Sequence, residues 1–366
     1  MVLKTLKLKQ FRNVEEAEIR FDDGVNLVFG ENAQGKTSLL EAIYLLSAGK
    51  SFRTRHMREM ILHDRRESAA EAVFVRENER EMRMRVSLSK ERGKEFFKNG
   101  IKATKLSEII GCLSVVLFVP EHLSMVKEGP QVRRAFLDGA ISQLYPMYPS
   151  YLNEYKKLYE TRISLIRQAK EDPKKRELFC LYHDSLAKMS AKIALYRRHY
   201  IEELILRAAE QYRLISDGRE ELKLAYESDI PAELKTEEEI AAFVKQRLEK
   251  EIDRDIRAGF PVHGVHRDDL ALTLDSHEAR SFASQGQQRS IVLALKLSEG
   301  ELAHAHLGET PVFLFDDVLS ELDRRRRDFV LSKLEGKQTI LTFCDPVRKK
   351  QLAGANRILV KEGNFR

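Results

Sequence analysis

The sequence predicts an α/β fold: a mixed sheet around a glycine-rich loop, an added antiparallel β-subdomain, and an inserted, mainly helical lobe. Three observations carry this. The octapeptide GENAQGKT at 30–37 lies between an apolar strand-like run and an apolar helix-like run. A second apolar run, PVFLFDD at 311–317, ends in two carboxylates. Between them, over roughly 131–259, apolar residues recur every three or four positions, the period of helices.

The elements follow in order. Leu3, Leu6 and Leu8, then Ala17, Ile19 and Phe21, alternate as strands, with Asp22, Asp23 and Gly24 as a turn that delivers the chain through Val25, Leu27, Val28 and Phe29 into the loop. Leu39, Leu40, Ala42, Ile43, Leu45 and Leu46 are too continuously apolar for a surface helix, so this helix is expected beneath a sheet and stopped by Gly49. Strand character returns at 72–75, 82–88 and 96–97, and Asn99-Gly100 is a hairpin turn signal. A strand at 115–119 leads to Pro120-Glu121 and a helix carrying Arg133 and Arg134.

From Tyr151 the apolar stripe Leu152, Tyr155, Tyr159, Ile163, Ile166 is broken at Asp172-Pro173 and resumes as Leu178, Tyr182, Leu186, Met189, Ile193, Tyr196, Tyr200, Leu204. An antiparallel helical hairpin is the economical reading, its stripe serving as core. Leu222, Leu224 and Tyr226 suggest one strand, and Thr236 with Glu239 is a capping box opening a helix that Gly259 ends. The expected domains are therefore a head built from 1–130 and 260–366 and a helical lobe at 131–259.

At 366 residues and 43% hydrophobic content, the chain can bury two or three compact units. No apolar run is long enough to span a bilayer, and MVLKTLKLKQF alternates charge and leucine instead of building a signal-peptide core, so a cytoplasmic protein with no membrane partner is expected. Cys112, Cys180 and Cys344 have no metal-ligand spacing and are read as reduced, structural thiols. The 63 basic residues exceed the 57 acidic ones by six, which permits a polyanion partner but requires a local basic face to make one.

The loop at 30–37 has the spacing of a Walker A motif. Gly30 and Gly35 let the backbone curl so that its N–H groups face phosphates, Lys36 reaches the β- and γ-phosphates, and Thr37 at the helix start offers its hydroxyl to Mg²⁺. A chance match occurs on the order of once in a hundred such chains, before the flanking strand and helix are counted. At 311–317, Asp316 is placed to hold Mg²⁺ and Asp317 to orient or deprotonate an attacking water, the Walker B pattern; an ordinary strand end would be the better reading without a Walker A. Upstream, Ser284, Gln285, Gly286 and Gln287 open a strongly apolar helix, a third anion-favouring terminus.

Walker A, the segment ASQGQ, Walker B and SELD, in this order, resemble the motifs of ABC-type P-loop ATPase heads. With FRN at 11–13, GENAQGKTSLLEAIYLLSAGKSFR, VVLFVPEHLSMVKEGPQVRRAFLD, GVHRDDL, SQGQQR and DDVLSELD, nearly the whole chain resembles the bacterial RecF family, whose heads are similar to those of SMC proteins. The resemblance implies ATP and Mg²⁺ as cofactors and a weak, DNA-stimulated ATPase acting as a switch in DNA repair, replication and the damage (SOS) response. It implies an ATP-dependent homodimer that binds double-stranded and gapped DNA. RecR is the implied partner, with RecO, RecA and single-strand-binding protein reached through it.

Carried over residue by residue, it implies nucleotide contacts from Arg12, Asn13, Gly30, Glu31, Asn32, Ala33, Gln34, Gly35, Lys36, Thr37 and Ser38, and catalysis by Lys36 and Asp317. It implies metal contacts from Thr37 and Asp316, and signature contacts across the dimer from Ser284, Gln285, Gly286 and Gln287. Arg53, Arg55, Arg58, Arg65, Arg66, Arg133 and Arg134 are candidate contacts for DNA phosphates, weighed against ordinary solvated faces. His56 and His63 are read as surface residues. Glu121 stands near the usual Q-loop, Val265 stands where the family pattern has proline, and Thr342, Cys344 and Asp345 occupy the region of the usual switch histidine.

A P-loop phosphotransferase of small molecules is the alternative from another class, opposed by the 284–287 segment and Asp317. A transporter subunit is opposed by the strand-rich N-terminal part, and a long-armed chromosome organiser by the short helical insertion.

Overall fold

The computed structural model describes residues 1–76, 81–343 and 354–366. Cys344 and Asp345 lie outside them. The chain opens with β1 (Val2–Phe11) and β2 (Val14–Arg20), then β3 (Val25–Phe29) and α1 (Lys36–Ala48). Strands β4 (Glu67–Val75), β5 (Glu81–Ser89), β6 (Gly93–Lys98) and β7 (Ile101–Lys102) precede β8 (Val115–Phe118). Helices α2 (Pro130–Leu144), α3 (Tyr148–Glu171) and α4 (Cys180–Ser216) lead to β9 (Leu222–Glu227), α5 (Glu237–Lys250) and α6 (Ile252–Ala258). The last part holds β10 (Asp269–Leu274), β11 (His277–Glu278), α7 (Ala279–Phe282), α8 (Gln285–Leu307), β12 (Val312–Asp316), α9 (Arg324–Lys333), β13 (Thr339–Phe343), β14 (Asn356–Lys361) and β15 (Asn364–Phe365).

These strands form three sheets. The antiparallel one runs β2-β1-β4-β5-β6-β7, the central one β15-β14-β3-β13-β12-β8, and a third joins β11, β10 and β9. In the central sheet β14, β3, β13, β12 and β8 are parallel neighbours, and β15 closes the edge as an antiparallel hairpin strand. Asn99 and Gly100, at φ 50° and 81°, make the β6–β7 turn, a left-handed pair that glycine and asparagine tolerate. One expectation is corrected here. The first hairpin turns at Arg12 and Asn13, between the paired residues Phe11 and Val14, whereas Asp22 to Gly24 carry the chain from one sheet to another.

Helix α1 is sandwiched as its composition requires: Leu39, Leu40, Ile43, Leu45 and Leu46 are fully buried in a core shared by the antiparallel sheet and one face of the central sheet. Gly49, at φ 68°, closes it by donating to Leu45 O. Helices α2, α4 and α8 occupy the other face in a second core that includes Val116, Phe118, Phe313 and Phe315. Here α8 comes so near β12 that a Cβ on Gly300 would lie 2.5 Å from Cζ of the buried Phe313.

The helical lobe is an antiparallel pair, α3 and α4, rooted in that second core; farther out, Leu165, Ile166, Ala169 and Phe179 form a small cluster of their own. Leu178, counted in the expected stripe, is exposed, because 173–179 winds as a 3₁₀ turn that shifts the helical phase. The three-stranded sheet straddles residue 259, with β9 on one side of it and β10 on the other. Thr236 and Glu239 cap α5 reciprocally, and Gly259 ends α6 at φ 86°. Cys112 is buried, but Cys180 lies exposed at the start of α4, so its thiol is not a core group; neither forms a disulfide.

Buried charge joins the lobe to the head. The Arg197 guanidinium on α4 is 3.0 Å from Asp138 on α2 and 2.8 Å from Asp268, and it donates to Val265 O at 2.6 Å. Removing one partner of such a group leaves a buried charge unpaired, at a cost on the order of 3–5 kcal/mol. Beside it the Tyr155 hydroxyl meets His266 Nδ1 at 2.7 Å. Desolvation lowers the His266 pKa to about 4, and Arg267 and Arg134 reinforce it.

Gly300→Val should destabilise the fold by about 1–3 kcal/mol through overpacking against Phe313. Gly139→Ala, in the interior of α2 with open space around its Cβ site, should instead stabilise it by about 0.5–1 kcal/mol, both read by urea denaturation. For His266 the folded pKa lies below the ordinary 6.5, so its contribution is complete above that value and is lost as pH falls toward about 4. His266→Gln should therefore flatten the fall in melting temperature between pH 7 and 4, removing about 1–3 kcal/mol of acid sensitivity. His183, also lowered to about 4 by burial, would supply part of what remains, with carboxylates such as Asp229 and Asp323 whose partners hold them below the usual range.

Candidate functional site: a cleft at the carboxyl edge of the parallel sheet

Strands β3, β12 and β13 run the same way, so their carboxyl ends bring Phe29, Asp316 and Phe343 to one edge. A cleft of about 1010 Å³ opens there, lined by Arg12, Asn13, Lys36, Thr37, Asp316 and Asp317 among others. The loop between β3 and α1 forms its floor. Gly35 has φ 118°, which demands glycine, while Gly30 needs it for another reason: any Cβ would collide with the Val360 carbonyl of β14. Lys36 is buried and its ammonium donates to the carbonyls of Gly30 and Glu31, both at 2.7 Å, so it lies across the loop.

Asn13 braces the loop from outside, donating to Ala33 O at 2.9 Å and accepting from Ser38 Oγ at 2.9 Å. Ala33, at φ 63°, and Asn32 line the cleft, and Glu31 is exposed. Gln34 faces the other way, its side-chain oxygen and backbone carbonyl receiving the N–H groups of Glu362 and Gly363. Arg12, at φ 55°, forms a two-pronged pair with the buried Glu41 of α1 at 2.8 and 2.6 Å and donates to Glu59 O. Glu41 also receives Ser51 and, at 3.4 Å, Arg53.

Thr37 donates to Asp316 Oδ1 at 3.0 Å, and Thr342 donates to the same oxygen at 2.8 Å. Thr342 Oγ1 also accepts from the Asp317 N–H at 3.0 Å. Burial pushes the Asp316 carboxyl above its usual range, the two threonine hydrogen bonds oppose this, and the nearby Glu121 and Asp317 charges add to it. Asp317 is left-handed, at φ 54°, with its carboxylate receiving Ser320 Oγ. A hydroxyl beside crowded carboxylates is a hard oxygen donor set, which fits a magnesium-sized dication, and the loop fits a polyphosphate. Sequence reasoning missed Glu41 and Ser320 as parts of this site, and it placed Thr342 in the region of the usual switch histidine without its bonds to Asp316 and Asp317. Thr342 alone had a signal, its place at the end of an apolar strand.

Residues 284–287 do not line this cleft. Ser284 caps α8, accepting from Gln287 N at 3.3 Å while Gln287 Oε1 accepts from Ser284 N at 2.7 Å, and both Ser284 and Gln285 are exposed. Gln287 also donates to Glu220 at 2.8 Å. Arg326 of α9 covers Gly286, where a Cβ would come 3.1 Å from its Nη2.

The candidate DNA contacts divide. Arg133 is a correction: it is buried, with a bidentate pair to Asp269 at 2.8 and 2.7 Å and further bonds to the carbonyls of Met125 and Glu128, so its donors are consumed inside. Arg134 donates to Asp268 O at 2.6 Å and belongs to the same joint. Arg53 and Arg58 line the cleft. Arg55, Arg65 and Arg66 are exposed, the last two loosely paired with Glu15 and Glu91. His56 and His63 are exposed as expected, with His63 on the cleft rim. No described helix is long and apolar enough to cross a membrane.

A family model described as RecF/RecN/SMC N terminal domain matches residues 2–361. The DNA replication and repair protein RecF of Alkaliphilus oremlandii is 37% identical over 93% of this chain and 93% of its own. That of Bacillus subtilis (strain 168) is 37% identical over 99% of each. A solved structure of the recombination mediator protein RecF-ATPrS in the RecFOR pathway superposes with a TM-score of 0.93 at 34% identity, covering 100% of this chain and 97% of that one. The Pyrococcus furiosus Smc head, with a TM-score of 0.56 at 17% identity over 100% of this chain and 95% of its own, shares the fold. A family match across almost the entire chain, and relatives of this identity aligned end to end, mean that the chain belongs to the RecF family of DNA replication and repair proteins, with a head of the SMC type.

Proposed function

We propose that this chain is an ATP-dependent recombination mediator whose head binds ATP and Mg²⁺ in the cleft and closes on a second copy. The observation that carries the dimer is the separation within one chain of two half sites: the Lys36 cleft, and outside it the 284–287 terminus, exposed at Ser284 and Gln285. Lys36 and the loop N–H groups would hold the phosphates, Thr37 and Asp316 the magnesium, and Asp317 would orient water. Ser284 and Gly286 of the second copy would cover the nucleotide. Hydrolysis, slow and stimulated by DNA, would then act as a release step. The magnesium supplies charge to the phosphates; the chain's part is to position them.

The solved relatives are called RecF-ATP and RecF-ATPrS in the RecFOR pathway, which supports ATP as the nucleotide and RecO and RecR as the pathway. Duplex and gapped DNA are the proposed substrates, RecA loading on strands coated by single-strand-binding protein the outcome, and the cytoplasm the location. In this reading residues 131–259 act as an arm on the head formed by 1–130 and 260–366. A phosphotransferase has no use for a signature terminus that lies outside its own cleft.

With ATP and Mg²⁺, sedimentation should show dimers of the parent protein and monomers of Lys36→Met and Ser284→Arg; dimers of both variants, with parental duplex binding, would overturn the mechanism. DNA binding should fall steeply with salt. The paired change Arg65→Ala and Arg66→Ala should lower the slope of log affinity against log salt by up to about 1.8, at about 0.9 for each phosphate no longer neutralised. An unchanged slope would remove these two arginines from the interface.

A further inference from the structure

We propose a second metal site, remote from the cleft, in which His199, Glu203 and His306 hold a zinc-class transition-metal dication. His199 and Glu203 are one helical turn apart on α4, and His306 comes from the last turn of α8, which Gly308 ends at φ 70°. The Glu203 carboxylate lies 3.3 Å from His199 Nε2 and 3.1 Å from His306 Nε2. One donor atom from each of the three falls within 4.8 Å of the others, and no second such group occurs among the described residues.

Those spacings have a physical meaning. A tetrahedral zinc with bonds of about 2.0–2.1 Å places neighbouring ligand atoms about 3.3 Å apart. Two imidazoles and a carboxylate are also a donor set that zinc prefers and magnesium does not, with a fourth position open to water. The rings are held before any metal arrives: Tyr145 packs 5.7 Å from His306 and 6.4 Å from His199, whose own ring centroids are 6.2 Å apart and nearly perpendicular. The side chains keep 58%, 29% and 24% of their exposure for His199, Glu203 and His306, so an ion has a path from solvent. None of the three lines the Lys36 cleft.

The ion would bridge the far end of α8 to the arm helix α4. That bridging does not depend on nucleotide or on the function proposed above.

The competing arrangement is two imidazoles sharing one carboxylate by hydrogen bonds alone, and a titration separates the two. Full-length protein stripped with chelator, without nucleotide or magnesium, is titrated with zinc sulfate by calorimetry and with cobalt chloride by visible absorption. The expected result is one saturable equivalent, a tetrahedral cobalt spectrum, and a zinc-dependent rise in melting temperature. His306→Ala and His199→Ala should each weaken zinc by more than about tenfold, the smallest loss expected when even an outer partner of a metal ligand is removed. Glu203→Gln, which keeps a hydrogen-bonding oxygen but loses the charge, should weaken it as well, while Asp316→Asn in the cleft should not. Circular dichroism verifies that the variants are folded. Absence of a saturable equivalent, or parental affinity in both histidine variants, overturns the site.

Discussion

The parallel register of β3, β13 and β12 is the constraint on which the rest depends. Parallel strands need long connections, and here those connections hold the antiparallel sheet, the lobe and α8. Only because all three strands point the same way do residues 37, 316 and 342 meet at one carboxylate oxygen. Ligands in open α/β sheets bind at this edge because loop N–H groups and helix starts converge there. The cost is a carboxylate pressed into a buried corner beside two others, which raises its pKa. A dication bound there would relieve that crowding.

A second dependence links the N-terminus of α8 to the helical lobe. Helices α4 and α8 lie antiparallel, and polar bonds recur along their contact. Glu220 joins Gln287 to Tyr212, Gln211 donates to Glu301 at 2.5 Å, and Glu203 meets His306. At the root, Arg197 of α4 is satisfied by Asp138 of α2 and by Asp268. Displacing α4 from the head would leave the buried Arg197 and Asp268 charges without each other, a far larger cost than sliding an apolar face. The helical lobe and the N-terminus of α8 are therefore expected to move together.

Much of this was legible in the residues. The two strand ends and the loop between strand and helix carry their chemistry in short, ordered spans, and capping at Thr236 and Ser284 depends on neighbours three residues apart. What could not be read was any property set by distant partners. Arg133 looks like a surface arginine in a helix until Asp269, more than a hundred positions away, is packed beside it. The first hairpin departs from expectation for a similar reason: Asp22 to Gly24 have turn chemistry, but whether a turn keeps a strand in its sheet or sends it to another is decided by tertiary pairing.

The loop glycines sharpen the same point. Gly30 and Gly35 look equivalent in the motif, yet only Gly35 has a backbone that side chains resist. Gly30 is required because β14, from the far end of the chain, passes directly against it. The loop is thus clamped on two sides: Asn13 holds Ala33 and Ser38, and the β14–β15 turn holds Gln34 through two N–H groups. Arg12 extends that clamp to α1 through Glu41. A loop fixed by two separate turns is ordered before any ligand arrives, so binding energy from a polyphosphate need not be spent on ordering it. That energy remains available for a change elsewhere, and closure on a second head is the change this architecture leaves open.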